Sequence, residues 1–455
     1  MHCKLRAGLA VKIFRMPTRS ATAITVKLAP LSQALAAVLL LACLFVFAPS
    51  CSAYSELTHE AIVDAAWDVA IRPLLLQRFP NATGPELRTA HAYAYGGSVI
   101  QDMGYYPFGS KLFTNLTHYV RSADFVNALL RDSQNLNDYA FALGALAHYA
   151  ADNDGHNLAV NVSVPMLYPK MRKKYGDWVV YDQGPADHLR TEFGFDVLQI
   201  ARSRYAPGDY QDHIGFQVAK ALLEKAFQET YGLKLDSVFT NLNLAISTYR
   251  SGVSAVIPNM TKVAWQIKKD EIQKEIPGET REKYLYHLSR ASYNQHWGKE
   301  YKKPGIGTRI LAFLIRIVPK IGPFRALAFR TPTPKTEQFF MASFNSSLRD
   351  YDKDIHNEAT NGNPGITNDN LDMGRVAGPG EYPLADKTYA ELLHQLVRSH
   401  FAQVTPGLRD DVLIFYRDPN ARNTMKKKKK EWAKITAEVA ELKAFSPTVP
   451  AVSSN

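Results

Sequence analysis

From Thr58 to about Leu76, apolar residues recur at Ala61, Ile62, Ala65, Ala66, Val69 and Ala70, the spacing that turns one face of a helix toward a core. The same periodicity runs through 122–131 and 138–152, and it predicts further helices over 186–204, 214–230 and 236–256. No run of alternating strands punctuated by tight turns interrupts it. The chain therefore reads as an all-α fold, a multi-helix domain with a helical and loop C-terminal extension. Two stretches rich in Pro, Gly and aromatic residues break the pattern. The first, 102–114 (DMGYYPFGSKLFT), is expected as a loop, and the second, 357–381 (NEATNGNPGITNDNLDMGRVAGPGE), as a linker or surface loop. The lysine run 426–430 precedes WAKITAEVAELKAF and reads as the solvated start of a helix.

With 455 residues, 46% hydrophobic and 21% charged, the chain has ordinary globular composition and length for one large domain plus a smaller one. Its first 53 residues stand apart. They hold Lys4, Arg6, Lys12, Arg15, Arg19 and Lys27, no acidic residue, and then the apolar run ALAAVLLLACLFVFA from Ala34 to Ala48. That run is shorter than a membrane span of about 20 residues, and Cys51-Ser52-Ala53 offers the small residues a signal peptidase requires. The expectation is a cut after Ala53 and export, to a secreted, periplasmic or outer-surface location; a retained anchor is the alternative. All three cysteines, Cys3, Cys43 and Cys51, precede the cut, so a metal in the mature chain must be held by nitrogen and oxygen. Losing the leader also takes the formal charge from +11 to +5, so the basic balance belongs partly to the leader.

The chemistry concentrates in HYAADNDGHN, 148–157, where His148, Asp152 and His156 stand at steps of four. On a helix His148 and Asp152 converge on one ion, with His156 a turn further on or just past a helix end at Gly155. His188 and Glu192 in DHLRTEFGFD repeat the step. A lone histidine on an apolar helix is ordinarily a core residue satisfied by a hydrogen bond. Two pairs of imidazole and carboxylate at this spacing instead suit zinc. Upstream, His59 in YSELTHEAI, Asp102 in VIQDMGYYP and His118 in NLTHYVRS lie in small or apolar surroundings, while His91 and the remaining histidines fit no ligand spacing.

The order Tyr54…His59, Asp102, His118, His148, Asp152, His156, His188, Glu192 resembles the secreted zinc-dependent phospholipase C family, whose zinc architecture is shared with single-strand-specific secreted nucleases. The resemblance spans about 54–205. It implies an all-helical domain with three zinc ions at the bottom of a cleft. Asp102, His118, His148 and Asp152 would hold one, and His156, His188 and Glu192 a second. His59, the other oxygen of Asp152, and the backbone amine and carbonyl of the mature first residue, here Tyr54, would hold the third. A free amine at Tyr54 requires the same cut that the leader predicts. The chain departs from the family in having Tyr for the usual first Trp, and in a longer His156–His188 interval carrying MLYPKMRKKYGDWVVYDQG. The nucleases' Asp-x-x-x-Pro-Leu-His reads Asp152-Asn-Asp-Gly-His156 here.

The activity implied is hydrolysis of a phosphate ester by metal-activated water, with Asp102 and Asp152 as the catalytic carboxylates and phospholipid as the first substrate. A single-strand nuclease or phosphomonoesterase of the same architecture, or a membrane-associated protein with a structural zinc cluster, are the alternatives. Residues 309–332 (RILAFLIRIVPKIGPFRALAFRTP) combine an apolar stretch with spaced arginines. They read either as a segment lying in a membrane interface or as a core-facing helix whose arginines reach water. Tyr105, Tyr106, Phe108, Phe113, Trp178 and Tyr181 offer rings for stacking bases, for a lipid-accepting wall, or for packing. The expected organisation is a leader at 1–53, the phospholipase C-like domain at 54–300 and a C-terminal extension at 301–455.

Overall fold

Helices and loops make up all the residues that the computed structural model describes, namely 56–201, 205–206, 214–257, 260, 264, 268, 270–271, 274 and 328–447. Among them the only strand-like pairing is an isolated bridge between Asn370 and Arg375, and the chain is all-α as expected. The leader, its cysteines, Tyr54 and the basic segment 309–332 as far as residue 327 lie outside the described residues. None of the described helices is long and apolar enough to cross a membrane.

The helix at the first periodic stretch, α1 (Glu56–Ala66), passes through a π-type turn into α2 (Arg72–Arg78). Asp196 holds its start: Thr58 Oγ1 donates to Oδ1 at 2.6 Å and the Leu57 N–H donates to Oδ2 at 3.2 Å. A carboxylate there satisfies helix-start N–H groups that have no partner within the helix. The next helix, α3 (Gly84–Ser98), opens on a Thr83–Glu86 capping box. A 3₁₀ turn, Ile100–Tyr105, carries Asp102, and α4 (Lys111–Tyr119) begins at the Ser110 cap, so the expected loop over 102–114 is a loop only between two short helical pieces. Then come α5 (Ser122–Asp132), α6 (Leu136–Asp154), α7 (Asn161–Leu167), α8 (Pro169–Tyr175) and α9 (Pro185–Ala201).

The crossing of α3 and α6 positions the candidate site. A Cβ on Gly97 would stand 1.9 Å from the Phe141 carbonyl oxygen, and one on Gly144 would stand 2.1 Å from that of Ala94. Only glycine lets two helix backbones approach this closely. The contact brings Ser98 at the end of α3 beside His148, one turn beyond Gly144.

Two expected helices are trimmed. Where 214–230 was predicted, α10 spans Lys220–Tyr231. The chain before it is drawn out by Gly215 at φ 83° and by the Gln217 N–H donating to the Ala92 carbonyl at 2.9 Å. Within 236–256, a single turn, Leu235–Val238, is followed by α11 (Leu242–Ser251), because the Asn241 side chain caps a new start by accepting from the Leu244 N–H. Farther on are α12 (Pro334–Asn361), α13 (Pro383–Arg398), α14 (Pro406–Phe415) and α15 (Lys429–Ala444). The long α12 lies along α6, and Tyr351 donates its hydroxyl to the Leu143 carbonyl at 2.8 Å. One apolar cluster runs from Ile62 through Phe141 and Tyr351 to Leu442, so residues before 300 and after 328 share a core.

Candidate metal centre

At the bottom of the α3–α6 crossing, five side chains expected as ligands converge. His59 comes from α1, Asp102 from the 3₁₀ turn, His118 from α4, and His148 and Asp152 from one face of α6; all are buried. His59 Nε2 stands 3.5 Å from Asp152 Oδ1. The other oxygen, Oδ2, is 3.3 Å from both His118 Nε2 and His148 Nε2. His118 Nε2 is also 3.4 Å from Asp102 Oδ1, and the two Nε2 atoms of His118 and His148 face each other at 3.3 Å. The rings of His59 and His148 stack with centroids 4.3 Å apart.

Hydrogen bonds to backbone fix which ring nitrogen faces inward. The Nδ1–H of His118 donates to the Thr114 carbonyl at 2.7 Å, and that of His148 donates to Ser98 at 3.0 Å. Each Nε2 is then left with a lone pair aimed at carboxylate oxygens and at the other ring. Lone pairs collected in a buried space require a cation between them, and an outward N–H to a carbonyl is the arrangement that orients metal-bound histidine. With a proton as the only cation, burial works against His118, yet the Asp102 and Asp152 carboxylates lift it to about 10. Burial and then His148 push His59 well below the usual histidine value. Burial likewise opposes ionisation of Asp152, but His148 and His118 hold it well below the usual carboxylate range.

The remaining expected ligands form a second group. The helix widens into a π-type turn over Gly155–Val160, a local break common at functional sites, and His156 stands in it. His188, on α9, donates its Nε2–H to the Val179 carbonyl at 2.6 Å, which leaves Nδ1 facing inward. Glu192, one turn along, places Oε1 3.8 Å from that Nδ1. Neither Glu192 oxygen has a hydrogen-bond partner. Burial, reinforced by Asp152, Asp102 and Asp372, raises its carboxyl well above the usual range. Burial also lowers His188 to about 4.

A residue that the sequence reading missed joins this group. Asp372 is buried, and its Oδ1 lies 3.0 Å from His156 Nδ1. Ligand atoms of His156, His188 and Asp372 all fall within 4.8 Å of one another, as do those of His59, His148 and Asp152, and those of Asp102, His118 and His148. Asp372 belongs to 357–381, expected as a linker or surface loop. An aspartate among Asn, Gly and Pro looks like any turn residue, so spacing carries no signal for it.

The aromatic residues divide. Phe113 is fully buried against Phe125, Phe227 and Phe239, and Tyr106 is half-buried against Tyr249 with its hydroxyl donating to Glu56, so both are packing. Tyr105 and Tyr181 flank the metal groups, with ring centroids 6.3 Å from His118 and 5.9 Å from His188 respectively. Phe108 and Trp178 are exposed. His91, excluded on spacing, stacks on Trp67 and pairs with Asp64 at 3.1 Å.

The matched region of known families coincides with this arrangement. Residues 58–241 match the family model for zinc dependent phospholipase C, a span that contains every expected ligand except Tyr54. Comparison with curated proteins and with solved structures returned no match. The chain thus carries, over residues 58–241, a domain of the zinc-dependent phospholipase C family.

Proposed function

We propose that this chain is an exported hydrolase that cleaves phosphate esters at a three-zinc centre, with a phospholipid headgroup ester as its substrate. One observation carries the metal centre: five separations among His59, Asp102, His118, His148 and Asp152 lie between 3.3 and 3.5 Å. Ligands held tetrahedrally at zinc–nitrogen and zinc–oxygen distances of about 2.0–2.1 Å stand about 3.3 Å from each other. Side chains that merely hydrogen-bond approach to about 2.7–3.2 Å. The donor set fits as well, since imidazole and carboxylate without thiolate are the ligands of a hydrolytic zinc site.

Asp152 divides its oxygens, Oδ1 toward His59 and Oδ2 toward His118 and His148, and so would offer one oxygen to each of two metals. When bound, zinc supplies charge for the phosphoryl oxygens and lowers the pKa of a water that it holds from about 15.7 toward 7. The chain's own residues do the remaining work. His118 and His148 are locked in one tautomer by Thr114 and Ser98, so no reorganisation is needed during reaction. Asp102, beside His118, is placed to take a proton from the attacking water. Tyr105 and Tyr181 form an apolar flank against which the alcohol portion of an ester rests.

The test is metal content and hydrolysis on protein beginning at Tyr54. About three zincs per chain are expected, with diacylglycerol released from phosphatidylcholine vesicles, loss of activity on chelation and recovery on adding zinc. Cleavage of single-stranded DNA but not of lipid would replace the substrate assignment. Absence of zinc, or hydrolysis indifferent to chelation, would end the zinc-hydrolase reading.

A further inference from the structure

Asp372 lies outside the matched span 58–241, yet its carboxylate is built into the His156–His188 group with defined roles for both oxygens. Oδ2 accepts the Tyr181 backbone N–H at 2.9 Å. Oδ1 faces His156 Nδ1 at 3.0 Å, close enough for an ion pair when a proton is the only cation between them. His188 Nδ1, without a hydrogen-bond partner, faces the same space. A buried carboxylate with one oxygen anchored and the other aimed at two imidazole nitrogens is arranged as a metal ligand, because a polar atom left unsatisfied in the interior costs about 1–3 kcal/mol.

The loop that delivers Asp372 is held on every side. Tyr149 donates to the Thr367 carbonyl at 2.7 Å, and Asn153 donates to Asp369 Oδ2 at 3.2 Å. Ser122 donates to the Asp369 carbonyl at 2.6 Å, the Leu371 N–H donates to the His118 carbonyl at 3.0 Å, and Asn161 Nδ2 donates to the Asp372 carbonyl at 2.7 Å. Gly374, at φ 65°, completes the turn where a Cβ would stand 2.8 Å from the Asn153 carbonyl. The loop thus grips both ends of the segment carrying His148, Asp152 and His156.

We infer that Asp372 is a direct ligand of the metal held by His156 and His188, so that the region after the family domain supplies part of the metal centre. This rests on the zinc reading above. His156, His188 and Asp372 would supply three side chains to one ion, and Glu192, with Oε1 3.8 Å from His188 Nδ1, would be the nearest further carboxylate. Zinc held there would tie the 366–376 loop to the end of α6.

Asp372→Asn tests this in the intact mature protein, because the amide keeps the size and the acceptor for Tyr181 but is a far poorer zinc ligand. Zinc is titrated against a competing chelator, and thermal midpoints are read with and without metal. The expected result is one zinc whose affinity falls at least tenfold, with metal-free variant and wild type melting alike and zinc stabilising wild type more. Asp369→Ala, which loosens the same loop without touching a ligand, is expected to keep full zinc at saturation. Wild-type zinc affinity in Asp372→Asn, equal zinc loss in both variants, or equal destabilisation with and without metal would overturn direct ligation while leaving the zinc hydrolase standing. Wild-type protein that binds no zinc would overturn both.

Discussion

At the scale of single residues, the candidate ligands are shared unequally among the metal groups. His148 belongs to two of the three candidate metal groups and His188 to one. His148→Ala is therefore predicted to remove more zinc than His188→Ala, and to reduce hydrolysis by more than the roughly 10–100-fold typical of changes just outside a metal's ligands. Elemental analysis of the two variants side by side decides it, and equal losses would contradict the sharing of His148. A second residue titrates away from the site. Asp354, on α12, is buried, and burial together with Asp350, against the pull of Lys353, raises its carboxyl to about 7. The folded value lies above the unfolded one near 3.9. Its contribution to stability is therefore full below about pH 4 and is lost as pH rises through 7. Asp354→Asn carries no such penalty and is predicted to melt a few degrees above wild type at pH 8, with the advantage shrinking toward pH 5. An advantage constant across that range would show that Asp354 is not the group responsible.

Among elements, the α3–α6 crossing decides whether the site assembles. Gly144→Ala places a methyl 2.1 Å from the Ala94 carbonyl oxygen, a contact with backbone that no side-chain rotation relieves. The helices must separate, at the cost of about 1–3 kcal/mol seen for overpacked cores, or more. Separation also draws the Ser98 carbonyl away from His148 Nδ1. The variant is predicted to have a lower denaturation midpoint and weaker zinc binding together, and urea titration with chelator competition measures both. Stability and zinc affinity that stay at wild-type values would show that the crossing has room to spare. Helices α1, α5, α6 and α9 were legible in sequence because their apolar faces repeat at 3.6 residues, and the i,i+4 pairs exposed His148–Asp152 and His188–Glu192, whereas α3, α12, α13 and α14 were not among the expected helices. Gly97 and Gly144 read only as weak helix formers, since their role depends on a partner helix that no local window contains. Asp372 was hidden for the same reason, its neighbours at the site being about 180 and more residues away in sequence. Helix starts at Lys220 and Leu242 were set by Gly215 and Asn241, signals that apolar periodicity passes over.

For the whole molecule, the question is whether the family domain stands alone. Tyr351 and Ile355 of α12, Leu371 of the ligand-bearing loop, and Leu392 and Leu396 of α13 all enter the cluster that begins at Ile62. Each buried aromatic residue of this kind removes roughly 150–250 Å² from water, about 4–6 kcal/mol as an upper bound at 25 cal/mol per Å². Net stabilities of domains are only about 5–15 kcal/mol. Stripping α12 from α6 would therefore remove Tyr351 from Leu143 and Glu358 from Tyr139, on the very helix that carries His148 and Asp152. A chain ending at residue 300 is predicted to be insoluble or to lack a cooperative melting transition, even with zinc in excess. The full mature chain is predicted to melt cooperatively and at higher temperature when zinc is present. Calorimetry on the two proteins separates the cases: a truncated chain with its own sharp, zinc-dependent transition would mean that residues 54–300 fold independently and that the C-terminal region docks on a finished core.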